Sequence, residues 1–119
     1  MSEIIEWVLE MDVRDGQGDN VQPLLDEMVQ AAEADEPRTL HCEFYMSDDR
    51  RTCTVLERYA DNAAVMAHFA QFGGRFADRF TELFMPVRLT VYGPATAAVM
   101  SVLAGYGGVR LNRVAGFHR

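Results

Sequence analysis

Glu57 and His68 are the residues whose types and positions promise proton chemistry. Glu57 lies near the end of an extended, β-branched run from Thr52 to Tyr59, and alternation puts it on the face of Cys53 and Val55. Buried alone on an apolar face, a carboxylate costs several kcal/mol or titrates upward, so it needs a partner. His68 lies at the edge of a helical stripe formed by Val65, Phe69, Phe72, Phe76, Phe80 and Leu83. Glu57 sits about 7 Å back from its strand end, and His68 about 10 Å into a helix running back across that strand, so the two can meet. A carboxylate that holds an imidazole is the orienting pair of a general base. The same pair can equally be a structural tie between helix and sheet.

Other chemistry finds less support. His41 falls on the opposite, polar face beside Glu43 and Tyr45 and reads as an interface residue, while His118 next to the C-terminus has no assigned role. Three separated histidines without a cysteine cluster have no metal-site spacing. All eleven basic residues are Arg, which removes Schiff-base and P-loop lysine chemistry. Cys42 and Cys53 read as reduced core thiols. Trp7, Phe44, Phe69, Phe72, Phe76 and Phe80 are ordinary core candidates that could together line a flat aromatic pocket.

Those side chains need a frame. Ile4 to Val13 alternates, with Ile5, Trp7, Leu9, Met11 and Val13 on one face, as in a half-buried strand. Arg14 to Asn20 is predicted as a loop ending in cap residues; Val21, Leu24, Leu25, Met28 and Ala32 follow helical spacing, with Pro23 in the first turn. Thr39 to Met46 and Thr52 to Tyr59 form a hairpin, with the turn centred between Asp48 and Asp49. In that register the two cysteines are two residues out of step on neighbouring strands, a poor geometry for a bridge. Asp61 is an N-cap for the next helix, which Gly73-Gly74 bends or splits and Pro86 ends. Val87 to Tyr92 is a strand, Pro94 to Leu103 a short helix stopped by Gly105, and Val109 to Phe117 a weak final strand.

The order β-α-β-β-α-β followed by α-β predicts an α+β chain. It is a ferredoxin-like βαββαβ plait with an antiparallel sheet and both main helices on one face, plus a C-terminal helix and strand. The other face carries Glu6, Glu10, His41, Glu43, Tyr45, Thr54, Arg58, Arg88, Thr90 and Tyr92, laced with Val8 and Leu56. That mixture suits packing against a second copy, and a simply wet face is the alternative.

Composition narrows the class. With 119 residues, 49% hydrophobic and 24% charged, the chain fits one globular domain over 1–119. A net charge of −7 argues against nucleic acid as a partner. No apolar run is long enough to span a membrane, and the acidic start lacks a basic leader, which predicts a cytoplasmic protein. Residues 1–61 hold 5 Arg and 16 acids, whereas 62–119 hold 6 Arg and 2 acids, so the halves should attract each other.

The run from Glu36 to Tyr45, the strand Thr54-Val55-Leu56-Glu57-Arg58-Tyr59-Ala60-Asp61 and the triplet Ala67-His68-Phe69 resemble the antibiotic biosynthesis monooxygenase (ABM) domain. The resemblance spans about residues 3–92. Its most specific part is Glu57-Arg58-Tyr59 with His68 nine positions after the aromatic, and the extension 94–119 lies outside it. It implies a plait whose homodimers form an α/β barrel, with a pocket between sheet and helices in each subunit. Members include cofactor-independent oxygenases acting on quinols and aromatic polyketides, and haem-degrading enzymes. Glu57 and His68 match the family pattern, and Tyr59 takes an aromatic position that is often Trp. The haem branch fits poorly: it has Trp where His68 stands, its axial His falls near Asp78-Arg79, and its first-strand Asn has no counterpart between Ile4 and Met11.

The resemblance therefore implies a small monooxygenase-like enzyme without cofactor or metal, acting on a quinol or aromatic polyketide-type substrate. His68 would be base or proton relay and Glu57 its orienter, with Trp7 and Phe72 in the pocket wall and Tyr59 hydrogen-bonding substrate. The competing class is a non-catalytic ligand-binding or structural dimer of the same fold.

Overall fold

Alternation, caps and breakers account for most elements of the computed structural model, which describes residues 2–119. The strands are β1 (Ile5–Val13), β2 (Thr39–Met46), β3 (Thr52–Tyr59), β4 (Phe84–Tyr92) and β5 (Gly108–Leu111). The helices are α1 (Gly18–Asp35), α2 (Asn62–Arg75), α3 (Ala77–Leu83) and α4 (Ala97–Leu103), followed by a 3-10 turn at Ala104–Tyr106. The sheet runs β2-β3-β1-β4-β5. Its first four strands pair antiparallel. β5 lies parallel to β4, so the sheet is mixed where a wholly antiparallel one was expected. A parallel return requires a crossover of roughly a dozen residues or more, and 93–107 supplies it.

One face of the sheet is covered. Ile5, Trp7, Leu9 and Met11 of β1 and Cys53, Val55 and Tyr59 of β3 are buried against Val21, Leu24, Leu25 and Met28 of α1. Phe72 of α2, with Phe80 and Leu83 of α3, completes this layer. Val99 and Leu103 of α4 join the same core, so the C-terminal extension is packed onto the plait. Among the described residues no helix is long and apolar enough to cross a membrane.

Several boundaries differ from the sequence expectation. α1 begins at Gly18, which places Pro23 inside it and Asp19 and Asn20 in its first turn rather than at its cap. The carbonyl that Pro23 cannot serve belongs to exposed Asp19, where it is open to solvent and the missing amide costs less than it would in the core. The break between α2 and α3 falls at Phe76, two residues after Gly73-Gly74. β4 starts at Phe84, and Pro86 lies inside it at a register shift that skips Val87, a bulge that tolerates a missing donor. α4 starts only at Ala97, and its turn ends at Gly107, with φ 74°, rather than at Gly105. The last strand is confined to four residues, and 112–119 forms no further strand.

The hairpin register is shifted by two. Cys42 faces Glu57, Phe44 faces Val55 and Met46 faces Cys53, so the turn centres between Asp49 and Arg50. Arg50 takes a positive φ of 59° there. A two-residue slip keeps every side chain on its face. It moves the cysteines further out of step, and both are free.

Candidate active site

α2 starts where Asp61 accepts a hydrogen bond from the Ala64 amide at 2.9 Å, and this cap sets the phase that turns His68 inward over β3. His68 arrives between two carboxylates. Its Nδ1 lies 2.9 Å from Glu36 Oε1, and its Nε2 lies 3.7 Å from Glu57 Oε2. The side chains are 11% exposed for His68, 6% for Glu36 and 8% for Glu57. Glu57 and His68 thus meet, and the hydrogen-bonded partner of the imidazole is Glu36.

Glu36 caps the C-terminus of α1 just before Pro37. Thr39 Oγ1 donates to its Oε1 at 2.8 Å, and Gln71 Nε2 donates to its Oε2. Neither Glu36 nor Gln71 was singled out from the sequence. Two signals were available. An acid at a helix C-terminus opposes the macrodipole and therefore needs a partner, and Gln71 lies three residues after His68 on the same helical face.

Burial works against charge at both groups, but the pair overcomes it. For His68, desolvation disfavours the imidazolium; the Glu36 hydrogen bond and the charges of Glu57 and Glu36 outweigh it, leaving its pKa raised. For Glu36, desolvation is again the largest effect, yet His68, Thr39 and Gln71 together hold its pKa below the ordinary value. Tyr59 is wholly buried and its hydroxyl donates to Glu57 Oε2. Burial first, then the Glu57 charge, pushes that phenol well upward. Cys42, beside Glu57 in the sheet, is pushed upward by burial and by the surrounding carboxylates, and burial raises Cys53 to about 11. Both thiols are therefore poor nucleophiles.

A small cavity of about 30 Å³ opens beside this group, lined by Glu57, His68, Trp7, Phe69, Phe72 and Phe80, by Met28, Leu9, Leu89 and Leu103, and by Tyr106. The His68 ring centroid lies 5.9 Å from Phe72 and 6.3 Å from Trp7. Trp7 and Phe72 thus form cavity wall. Tyr59 lies one step behind it, with its hydroxyl committed to Glu57. Phe44 packs at the margin of the core on β2, and Phe76 is buried away from the cavity lining. His41 contacts Glu43 on the opposite face. His118 lies in an open cleft beside the C-terminal tail. Among the described residues no group of three His, Cys, Asp or Glu side chains converges as a metal site.

The arrangement can move a proton. The Glu36 contact places the Nδ1 proton of a neutral His68 toward the carboxylate and leaves Nε2 to accept one from the cavity side. Glu36 and Glu57 then both stabilise the imidazolium that forms.

No family model matches the chain, and no curated protein sequence matches it. Solved structures do share its fold. MupZ from Pseudomonas fluorescens superposes with a TM-score of 0.86 at 16% identity, covering 100% of this chain and 91% of its own. That match therefore includes the segment of α4 and β5. Rv0793 from Mycobacterium tuberculosis gives a TM-score of 0.66 at 24% identity, covering 80% of this chain and 98% of its own. A protein named antibiotic biosynthesis monooxygenase gives 0.60 at 20% identity, covering 73% of this chain and 92% of its own. The chain has the ferredoxin-like fold of these proteins.

Proposed function

We propose that this chain is an ABM-type oxygenase that needs no cofactor of its own, acts on a quinol or aromatic polyketide-type phenol, and works as a homodimer. The carrying observation is the buried imidazole of His68, held by Glu36 and Glu57 against a cavity walled by aromatic rings. Neutral His68 accepts the phenolic proton through Nε2. The resulting electron-rich anion reduces O2, so that one oxygen atom enters the product and the other leaves as water, with all electrons drawn from the substrate. The ring wall of Trp7 and Phe72 holds the plane of the substrate and excludes water. Glu36 and Glu57 position the imidazole and stabilise its charged form.

The test is oxygen uptake with a panel of hydroquinones, naphthols and anthrones. At least one should be consumed, with uptake falling about a hundredfold or more in His68→Gln, the usual size of a lost acid–base group. Uptake indistinguishable from buffer across the panel would defeat the proposal.

A second reading has one observation behind it. A cavity of about 30 Å³ is closer to the room of a single water than to the 150 Å³ that holds benzene, so ring binding requires a wall to move. If no wall moves, the Glu36–His68–Glu57 group is a structural tie and the chain is a non-catalytic dimer. Calorimetric titration with the same panel separates the two readings, because the tie predicts no binding at all.

A further inference from the structure

We infer that Tyr106 is the specificity-determining residue of the His68 cavity, its phenol ring standing where the first ring of an aromatic ligand would lie. The inference rests on the proposed phenol-binding role of the cavity and names the wall that decides what enters.

Tyr106 reaches the cavity from outside the plait, on the 3-10 turn after α4, whereas Trp7, Glu57, His68 and Phe72 come from β1, β3 and α2. The backbone behind it is pinned. Leu103 is buried, Gly107 holds a left-handed φ of 74°, and a Cβ on Gly108 would come within 3.2 Å of Leu103. The side chain is free by comparison. It is only half-buried, and no hydrogen bond contributes to the state of its phenol, whereas Tyr59 is fully buried and bonded to Glu57. Burial and the Glu57 charge keep the Tyr106 hydroxyl protonated, so it remains a donor. The remaining space is far too small for a ring, while Tyr106 lines that same space with a side chain of one six-membered ring, close enough to Glu57 for the carboxylate charge to act on its phenol. Tyr106 packs only at the margin of the core and on a turn outside the plait, so its displacement disturbs the core less than that of the buried Trp7, Phe72 or Phe80.

The test uses the full chain and two probes, phenol and 1-naphthol, titrated by calorimetry, with the NMR signals of the His68 ring protons reporting occupancy of the cavity. Tyr106→Ala should bind phenol at least tenfold more tightly than the wild type and shift the His68 signals. Tyr106→Leu should fall between them, and it also covers the case in which the alanine variant fails to fold. Tyr106→Phe should keep the wild-type preference between one ring and two. Equal affinities for both probes in wild type and Tyr106→Leu would overturn the inference, even if oxygen uptake depends on His68. Tighter binding without oxygen uptake would instead uphold the role of Tyr106 and defeat the oxygenase reading.

Discussion

His68 is hydrogen-bonded through Nδ1 to Glu36, and the two partners of this pair carry opposite consequences for pH. Its raised pKa means that its stabilising contribution is complete below its unfolded value of 6.5 and is lost as pH rises through the higher folded value. The lowered pKa of Glu36 means that its contribution is complete above 4.5 and is lost as pH falls through the lower folded value. The titratable groups beside the imidazole are Glu36 at the end of α1, Glu57 and Tyr59 from β3 and, across the cavity, Tyr106 from the turn after α4, while Gln71 acts on Glu36. The gap in melting temperature between wild type and Glu36→Gln should therefore be widest between pH 4.5 and 6.5 and narrow on either side. A gap independent of pH would mean that the pair is not ionic. Glu57→Gln separates the two roles of the site. A tie costs stability, of order 1–3 kcal/mol for a buried charged hydrogen bond, whereas a proton relay costs turnover about a hundredfold with the fold retained. Melting temperature and oxygen uptake on one sample decide between them. Glu57 and His68 were legible in the sequence because each is a polar residue at a position whose neighbours are apolar. Glu36 signalled only that it needs a partner, as an acid at a helix C-terminus; which partner it finds depends on the path of the chain between α1 and β2, which no periodicity records. Tyr106 was hidden too, in a short glycine-rich turn that carries no periodicity to orient its side chain.

At the scale of elements, the faces were easier to read than the registers. Alternation fixes which side of a strand is buried, and a slip of two residues in the β2–β3 hairpin leaves that alternation intact. The turn itself holds no Asn-Gly or Asp-Gly pair to mark its centre, and Arg50 takes the positive φ that glycine usually supplies. The bulge at Pro86 likewise extends β4 through a residue that ordinarily excludes a strand. One glycine constrains the fold at the point where the extension leaves the plait. Gly93 has φ 111°, and a Cβ there would lie 2.4 Å from the Ile4 carbonyl oxygen. Gly16 has φ 78° but nothing within 4 Å. Gly93→Ala should therefore lose more than the roughly 1–3 kcal/mol of backbone strain alone, and Gly16→Ala about 1–2 kcal/mol. Thermal melts of the two variants should rank them in that order. Equal losses would show that β4 and β1 can part at that end without cost, and that the extension is not anchored there.

The whole molecule presents one sheet face to the helices and the other to whatever lies outside. The uneven charge is partly resolved within the chain, since Arg79 reaches Glu27 and Arg75 approaches Asp35, tying α3 and α2 to α1. The open face is different. Val8 is at its centre on the middle strand, directly opposite Leu56 on one side and Thr90 on the other. Around it stand Glu6 bonded to Arg58, His41 with Glu43, and the half-exposed Tyr45 and Tyr92. An apolar centre with a charged and aromatic rim is the anatomy of an interface core and its surround. If two copies pack through this face, light scattering at micromolar concentration should give about twice 13.4 kDa. Val8→Arg should then give the monomer mass, because it places an unpaired charge at the most desolvated point. On a face that stays wet the same substitution would change stability by no more than about 0.5 kcal/mol, and the mass would be unaltered. A wild-type mass of 13.4 kDa would remove the dimer from the proposal and leave the cavity, which one chain builds entirely from its own residues, to stand alone.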